Sequence, residues 1–147
     1  MPTRRQFLTC LAAAGLSARR SLAATKPLRG VFIIMATPYT ETKAVDYEDL
    51  AREVDFMDRC GVHGMVWPQM ASEYTHLTRE ERLRGMQVLA KAAKGKSPAL
   101  VLGVQGPNAE AALAYLHHAE ELGPDALIAI PPTEAKSADD FRDYYRA

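Results

Sequence analysis

Four times in succession the chain sets a short apolar run ahead of a capped amphipathic stretch, and this alternation restricts it to folds built from parallel βα units. The runs lie at 30–36, 64–68, 99–104 and 126–130, and each is apolar without the every-other-residue polarity of a half-exposed strand. Such runs suit parallel strands covered on both faces. Between them the apolar period lengthens to that of a helix. Asp46 opens the first predicted helix, which places Tyr47, Leu50, Ala51, Val54 and Met57 on one face and closes at Gly61. Thr78 and Glu81 stand at capping-box spacing before the second, whose stripe is Leu83, Met86, Leu89, Ala90 and Ala93. A third is predicted over 108–122, with Ala112, Leu113, Leu116 and Ala119 inward and Gly123 as its stop. The fourth starts at Ser137, has Asp140 in the box position, and carries Phe141, Tyr144 and Tyr145.

Alternation at this spacing serves either a closed barrel or a doubly wound open sheet, and periodicity does not choose between them. The first run ends Met35-Ala36-Thr37-Pro38, without the glycine fingerprint of a dinucleotide site. The expected fold is therefore α/β: the amino-terminal half, about four βα units, of a (β/α)8 TIM barrel. A whole barrel takes about 250 residues, against the 147 present. Chemistry is then expected at the carboxyl ends of the strands. Unpaired edges on the first and fourth strands predict self-association if nothing else covers them.

Residues 1–24 read as an export signal and 25–147 as the partial barrel domain. TRRQFL (3–8) resembles a twin-arginine signal; an alanine-rich stretch follows it, and then Ser21-Leu22-Ala23-Ala24, whose small residues suit a signal peptidase. The stretch is too short to span a bilayer. Arg19 and Arg20 would hinder the general secretory route, which favours twin-arginine export to the periplasm. The signal holds four of the 18 Lys+Arg and none of the 18 Asp+Glu, leaving 14 against 18, a net charge of −4. Nucleic acid and anionic membrane are thereby excluded as expected partners. Of the two cysteines only Cys60 lies beyond the signal, so no disulfide forms within the mature chain.

No metal is expected. His117 and His118 are adjacent on a helix and stand about 100° apart, while His63 precedes a strand and His76 follows Glu73 in a loop. None of these has the spacing of paired ligands. Gly103 and Gly106 around Gln105 read as a tight strand-to-helix turn rather than a phosphate cradle. Trp67 and Met70 read as packing.

Several stretches taken in order carry more than the period does. GVFIIMATPY (30–39), Val45-Asp46, GVHGMVWPQMASEYTHLTREER (61–82), LGVQGPNAEAAL (102–113) and ELGPDALIAIPP (121–132) together resemble the dihydrodipicolinate synthase and N-acetylneuraminate lyase family. That resemblance implies a homo-oligomeric barrel that binds pyruvate or a related 2-oxo acid as a Schiff base on a lysine, needs no cofactor, and makes or breaks a carbon–carbon bond. The lysine must be desolvated to act as a nucleophile.

The framework of the family is kept and its chemistry is altered. Where the family has Gly-Thr-Thr-Gly-Glu, this chain has Gln69-Met70-Ala71-Ser72-Glu73, so Met70 and Ala71 replace the two threonines that hold carboxylate and relay protons. Gln69 or Ser72 takes over a donor role, since an amide or hydroxyl can bind an oxo acid. Glu73 either orients substrate or bonds its own loop. Thr37 either reaches the site or fixes the turn before Pro38. Pro131-Pro132-Thr133 stands where the family has Pro-Tyr-Tyr, which puts Thr133 in the place of a tyrosine donated across a dimer. The expected substrate-binding set is thus Thr37, Gln69, Ser72, Glu73 and Thr133, with no catalytic residue in this chain. The family's lysine is expected beyond Ala147, because Lys43, Lys91, Lys94, Lys96 and Lys136 fall in loops or on helix surfaces. The chain alone is then inactive, and the complete form is a lyase acting on a small 2-oxo acid or aldehyde. The alternative is a periplasmic binder of small carboxylates that has lost imine chemistry.

Overall fold

The computed structural model describes residues 26–147, so the predicted export signal at 1–24 lies outside the described residues. Four strands, β1 (Phe32–Ile34), β2 (Gly64–Trp67), β3 (Ala99–Gly103) and β4 (Ala126–Ile128), each precede a helix: α1 (Tyr47–Arg59), α2 (Arg79–Ala92), α3 (Ala109–Leu122) and α4 (Ala138–Arg146). Between β2 and α2 the chain makes two 3-10 turns, Met70–Ser72 and Tyr74–His76. The caps explain the helix boundaries. Asp46 Oδ1 accepts from the backbone of Glu48 and Asp49 at 3.1 and 2.9 Å. Thr78 with Glu81, and Ser137 with Asp140, form complete capping boxes. Gly61 and Gly123, at φ +68° and +66°, take the left-handed positions that end α1 and α3.

All strand pairs are parallel and the sheet order is β1-β2-β3-β4. A doubly wound sheet reverses its strand order to place helices on both faces, and no reversal occurs here. Met65 and Trp67 of β2 and Leu100 and Leu102 of β3 share one core with Leu50 and Val54 of α1, Met86 and Leu89 of α2, and Ala119 of α3. The helices therefore cover one face, as in a barrel wall. Close approach is built into that layer: a Cβ on Gly85 would stand 2.2 Å from the Trp67 ring. On the opposite face the middle strands keep Val66 and Val101 buried, whereas Ile34 on β1 and Ile128 on β4 are 46% and 36% exposed. The two outer strands each lack one neighbour.

Three packing expectations need correction. In α3 the residues that meet the core are Tyr115, Leu116, Ala119 and Leu122, not Leu113, because α3 turns its aromatic toward α2. In α4 only Tyr144 is buried, while Phe141 and Tyr145 remain exposed. Met70, expected to pack, is exposed at the first 3-10 turn, because that turn folds Ser72 inward instead.

Candidate functional site at the strand ends

The carboxyl ends of β1, β2 and β3 converge on a set of buried polar side chains, and each bond in it can be counted. The Trp67 indole donates to Thr37 Oγ1 at 3.0 Å, and that hydroxyl donates to the Ser72 carbonyl at 2.6 Å. The Ser72 hydroxyl accepts from the Gln69 backbone N–H at 3.0 Å and donates to the Met35 carbonyl at 2.6 Å. A hydroxyl has a single proton to give. Both protons are committed, and Ser72 has no exposed surface. Thr37 thereby fastens the end of β1 to the turn after β2, which is more than fixing its own turn before Pro38.

Gln69, on the same turn, reaches sideways. Its Nε2 lies 3.4 Å from Gln105 Oε1, while Gln105 Nε2 donates to the Pro68 carbonyl at 2.8 Å. Both amides are buried. The backbone beneath them leaves no room for a side chain on the strand: a Cβ on Gly103 would stand 2.0 Å from the Pro68 carbonyl oxygen. One at Gly106 would stand 2.7 Å from the Ala112 nitrogen, so the glycines serve the tight turn the sequence suggested.

The remaining expected residues stand apart from this network. Glu73 is exposed and left-handed at φ 55°, a strained setting for a residue with a Cβ. Burial, and then the charges of Glu73 and Glu81, raise the Tyr39 phenol above its ordinary pKa. Thr133 is exposed in the loop after β4. Thus Thr37, Gln69 and Ser72 are brought together, and Glu73 and Thr133 line the solvent side.

Sequence reasoning missed two participants. In the sequence Gln105 reads as part of a turn, whereas its amide is fully buried in the network. Arg82 lies in α2, is 3% exposed, and donates from Nη2 to the Gly103 carbonyl at 2.8 Å. Its guanidinium stacks 3.8 Å from the Tyr115 ring centre and 5.5 Å from that of Tyr74, an arrangement that repays part of the cost of burying a charge. Burial holds its pKa below the usual arginine value, with the nearby tyrosines opposing. Its Nε has no hydrogen-bond partner. Tyr144 of α4 completes this support by accepting from the Gly106 N–H at 3.1 Å. The signal available beforehand was weak: an arginine four residues after a helix cap reads as surface, and only the positions of Tyr74 and Tyr115 turn it inward.

Among the described residues no group of three or more His, Cys, Asp or Glu side chains is placed to hold a metal ion. His63 Nδ1 accepts from the Val31 N–H at 3.1 Å, and His117 lies 3.6 Å from Glu120. Lys96 pairs with Asp55 at 2.6 Å, and Lys43 and Lys136 are exposed. Lys26 donates to the Pro98 carbonyl at 2.8 Å and lies 3.5 Å from Asp125, beside the start of β3 and away from the strand ends.

Comparison with known proteins supports the same architecture. The chain is 33% identical over 104 residues to a 4-hydroxy-tetrahydrodipicolinate synthase of Jannaschia sp. (strain CCS1), covering 71% of this chain and 35% of that protein. It is 30% identical over 109 residues to an uncharacterized DapA-like lyase of Thermococcus onnurineus (strain NA1), with coverage of 71% and 35%. Among solved structures, N-acetylneuraminate lyase from Mycoplasma synoviae superposes with a TM-score of 0.74 at 26% identity, over 80% of this chain and 41% of that one. The chain therefore spans between about a third and two fifths of the length of these relatives. The profile of the dihydrodipicolinate synthetase family matches residues 27–147, nearly everything beyond the predicted signal. With the parallel one-sided sheet and this match in hand, the chain belongs to the dihydrodipicolinate synthetase family.

Proposed function

We propose that these residues are the amino-terminal wall of a lyase that acts on pyruvate or a related 2-oxo acid through a lysine imine, with the lysine supplied from beyond the four strands described. The observation that carries this reading is the ordered family match over 27–147, together with the placement of Gln69 and Glu73 just past the end of β2. In the proposed reaction a desolvated amine adds to the 2-oxo carbon and water leaves. The protonated imine then draws electrons from the neighbouring carbon as the carbon–carbon bond forms or breaks. In this chain Thr37 and Ser72 act as the rigid floor of the site, and Gln69 and Glu73 face the substrate with Thr133 at the rim. The protein is exported by the twin-arginine route to the periplasm, works as a homo-oligomer, and uses no metal or cofactor. The four βα units alone are inactive.

One observation favours a second reading, a carboxylate-binding barrel without imine chemistry. Met70 and Ala71 carry no proton to relay, and the Thr37 and Ser72 hydroxyls are already spent. Borohydride reduction of the complete protein in the presence of pyruvate separates the two. A stable mass increase on one lysine is expected. Retained pyruvate binding with no trapped adduct would instead establish the binder.

A further inference from the structure

We infer that residues 26–31 form a latch across the amino-terminal end of the sheet, which shields the bond between Ala24 and Thr25 from proteolytic processing until it opens; this rests on the export reading proposed above. The residues that seat the segment immediately precede three different strands. Near β2, Val31 donates its N–H to His63 Nδ1 at 3.1 Å, and its carbonyl accepts from the His63 and Gly64 N–H groups at 3.0 and 3.2 Å. Gly30 bends left-handed at φ +96°, where a Cβ would stand 2.4 Å from the His63 ring. Near β3 and β4, Lys26 Nζ donates to the Pro98 carbonyl at 2.8 Å and stands 3.5 Å from Asp125 Oδ2. The segment thus runs from β1 past the start of β2 to the starts of β3 and β4.

The far anchor exists only in the assembled sheet. Asp125 is buried, its N–H donates to the Leu100 carbonyl at 2.9 Å, and its Oδ2 accepts from the Leu100 N–H at 2.9 Å. These bonds set β4 against β3, and the same carboxylate faces Lys26. The Pro98 carbonyl and Asp125 come within reach of one ammonium only when both strands are in register. Covalent geometry decides the consequence. Thr25 alone separates Lys26 from the predicted cleavage point, so the bond stays within about 8 Å of the Lys26 Cα. A protease that binds the residues around the scissile bond as an extended strand cannot seat a chain held against a folded body two residues past that bond. Cleavage therefore waits for Lys26 to leave Asp125, and its rate follows the population of that open form. Lys26 stands at the end of the sheet opposite Thr37, Gln69 and Ser72, so the latch is separate from the proposed reaction.

The test uses the complete, folded protein with its leader and two proteases. One is signal peptidase; the other is elastase, which also cuts after small residues and reads the latch whether or not the leader directs export. A peptide of residues 15–31 gives each protease its unhindered rate. In the folded protein, cleavage after Ala24, read by intact mass, is expected to be slower than in the peptide by about tenfold or more. Asp125→Asn retains an acceptor for the Leu100 N–H, removes the charge, and leaves every residue near the cleavage point unchanged. It is expected to raise the rate about tenfold, the effect of losing one charge-assisted hydrogen bond on an opening equilibrium. Lys26→Met should give the same gain, Lys26→Arg should keep the slow rate, and the double variant Lys26→Met with Asp125→Asn should be no faster than either single one. The inference is overturned if the folded protein is cut as fast as the peptide, or if Asp125→Asn and Lys26→Met leave both rates unchanged; with the peptide still cut by signal peptidase after Ala24, the export reading would survive that result. If signal peptidase cuts neither peptide nor protein while elastase shows the expected pattern, the export reading is refuted and the latch stands.

Discussion

The ends of β2 and β4 open onto the same face of the sheet and are finished differently. After β2, Gln69 and Ser72 are buried, and each hydroxyl in the network gives one hydrogen bond and takes one. After β4, Thr133, Glu134 and Lys136 are exposed, and the loop is held by its own backbone and by the Tyr145 hydroxyl donating to the Ala129 carbonyl at 3.2 Å. The cause is position in the sheet. β2 lies between β1 and β3 and can spend its polar groups on both, while β4 has β3 alone. A side chain of the right chemical type therefore becomes part of a fixed site only where neighbouring strands on both sides bind it.

Substitutions test that contrast, beginning with the greatest loss. Trp67→Ala removes a fully buried ring packed against Gly85 and strips Thr37 of a donor, so a loss of about 4 kcal/mol is expected in urea unfolding. A loss below about 1 kcal/mol would mean that the β2 end is not the anchor described. Ser72→Ala leaves the Met35 carbonyl and the Gln69 N–H unpaired in a dry setting, and should cost about 2 kcal/mol by the same measurement.

A pH series sharpens the comparison, because the bonds joining Thr37, Trp67, Gln69 and Ser72 contain no titrating group and contribute equally at every pH. Glu53 on α1 is the group that should move. Burial, and then the charge of Asp49, raise its pKa from 4.5 to about 7. The fold thus favours its acid form, so stability is full below about pH 4.5 and declines as pH rises through about 7. Glu53→Gln should flatten that decline in melting temperature, and an unchanged slope would refute the assignment. The smallest effect is expected at the β4 end, where Thr133→Val should alter stability by no more than about 0.5 kcal/mol. A larger change would show that the loop after β4 is already bound into the structure.

The helix starts were legible because capping is local chemistry. Asp46, Thr78, Asn108 and Ser137 each bond backbone groups two or three residues away, and all four are the caps observed. The four strands were legible as apolar runs, although the outer two keep only three paired residues each. The site was legible in part. The resemblance to the family groups Thr37, Gln69 and Ser72 as substrate-binding residues, yet nothing local reveals that the Ser72 proton goes to Met35, 37 residues away. Gln105 and Arg82 were not legible for the same reason: their partners Pro68, Tyr115 and Gly103 are close only in space.

By itself the sequence determined the alternation of strand and helix, the caps that punctuate it and the family framework, since all of these depend on interactions within a few residues. Only the tertiary structure decided that the helices share one face, that two hydroxyls expected to meet a ligand are spent on the scaffold, and that a buried glutamine and arginine support the strand ends. These outcomes depend on which groups the parallel register brings within about 3 Å of one another, and register is a property of the assembled sheet rather than of any segment in it.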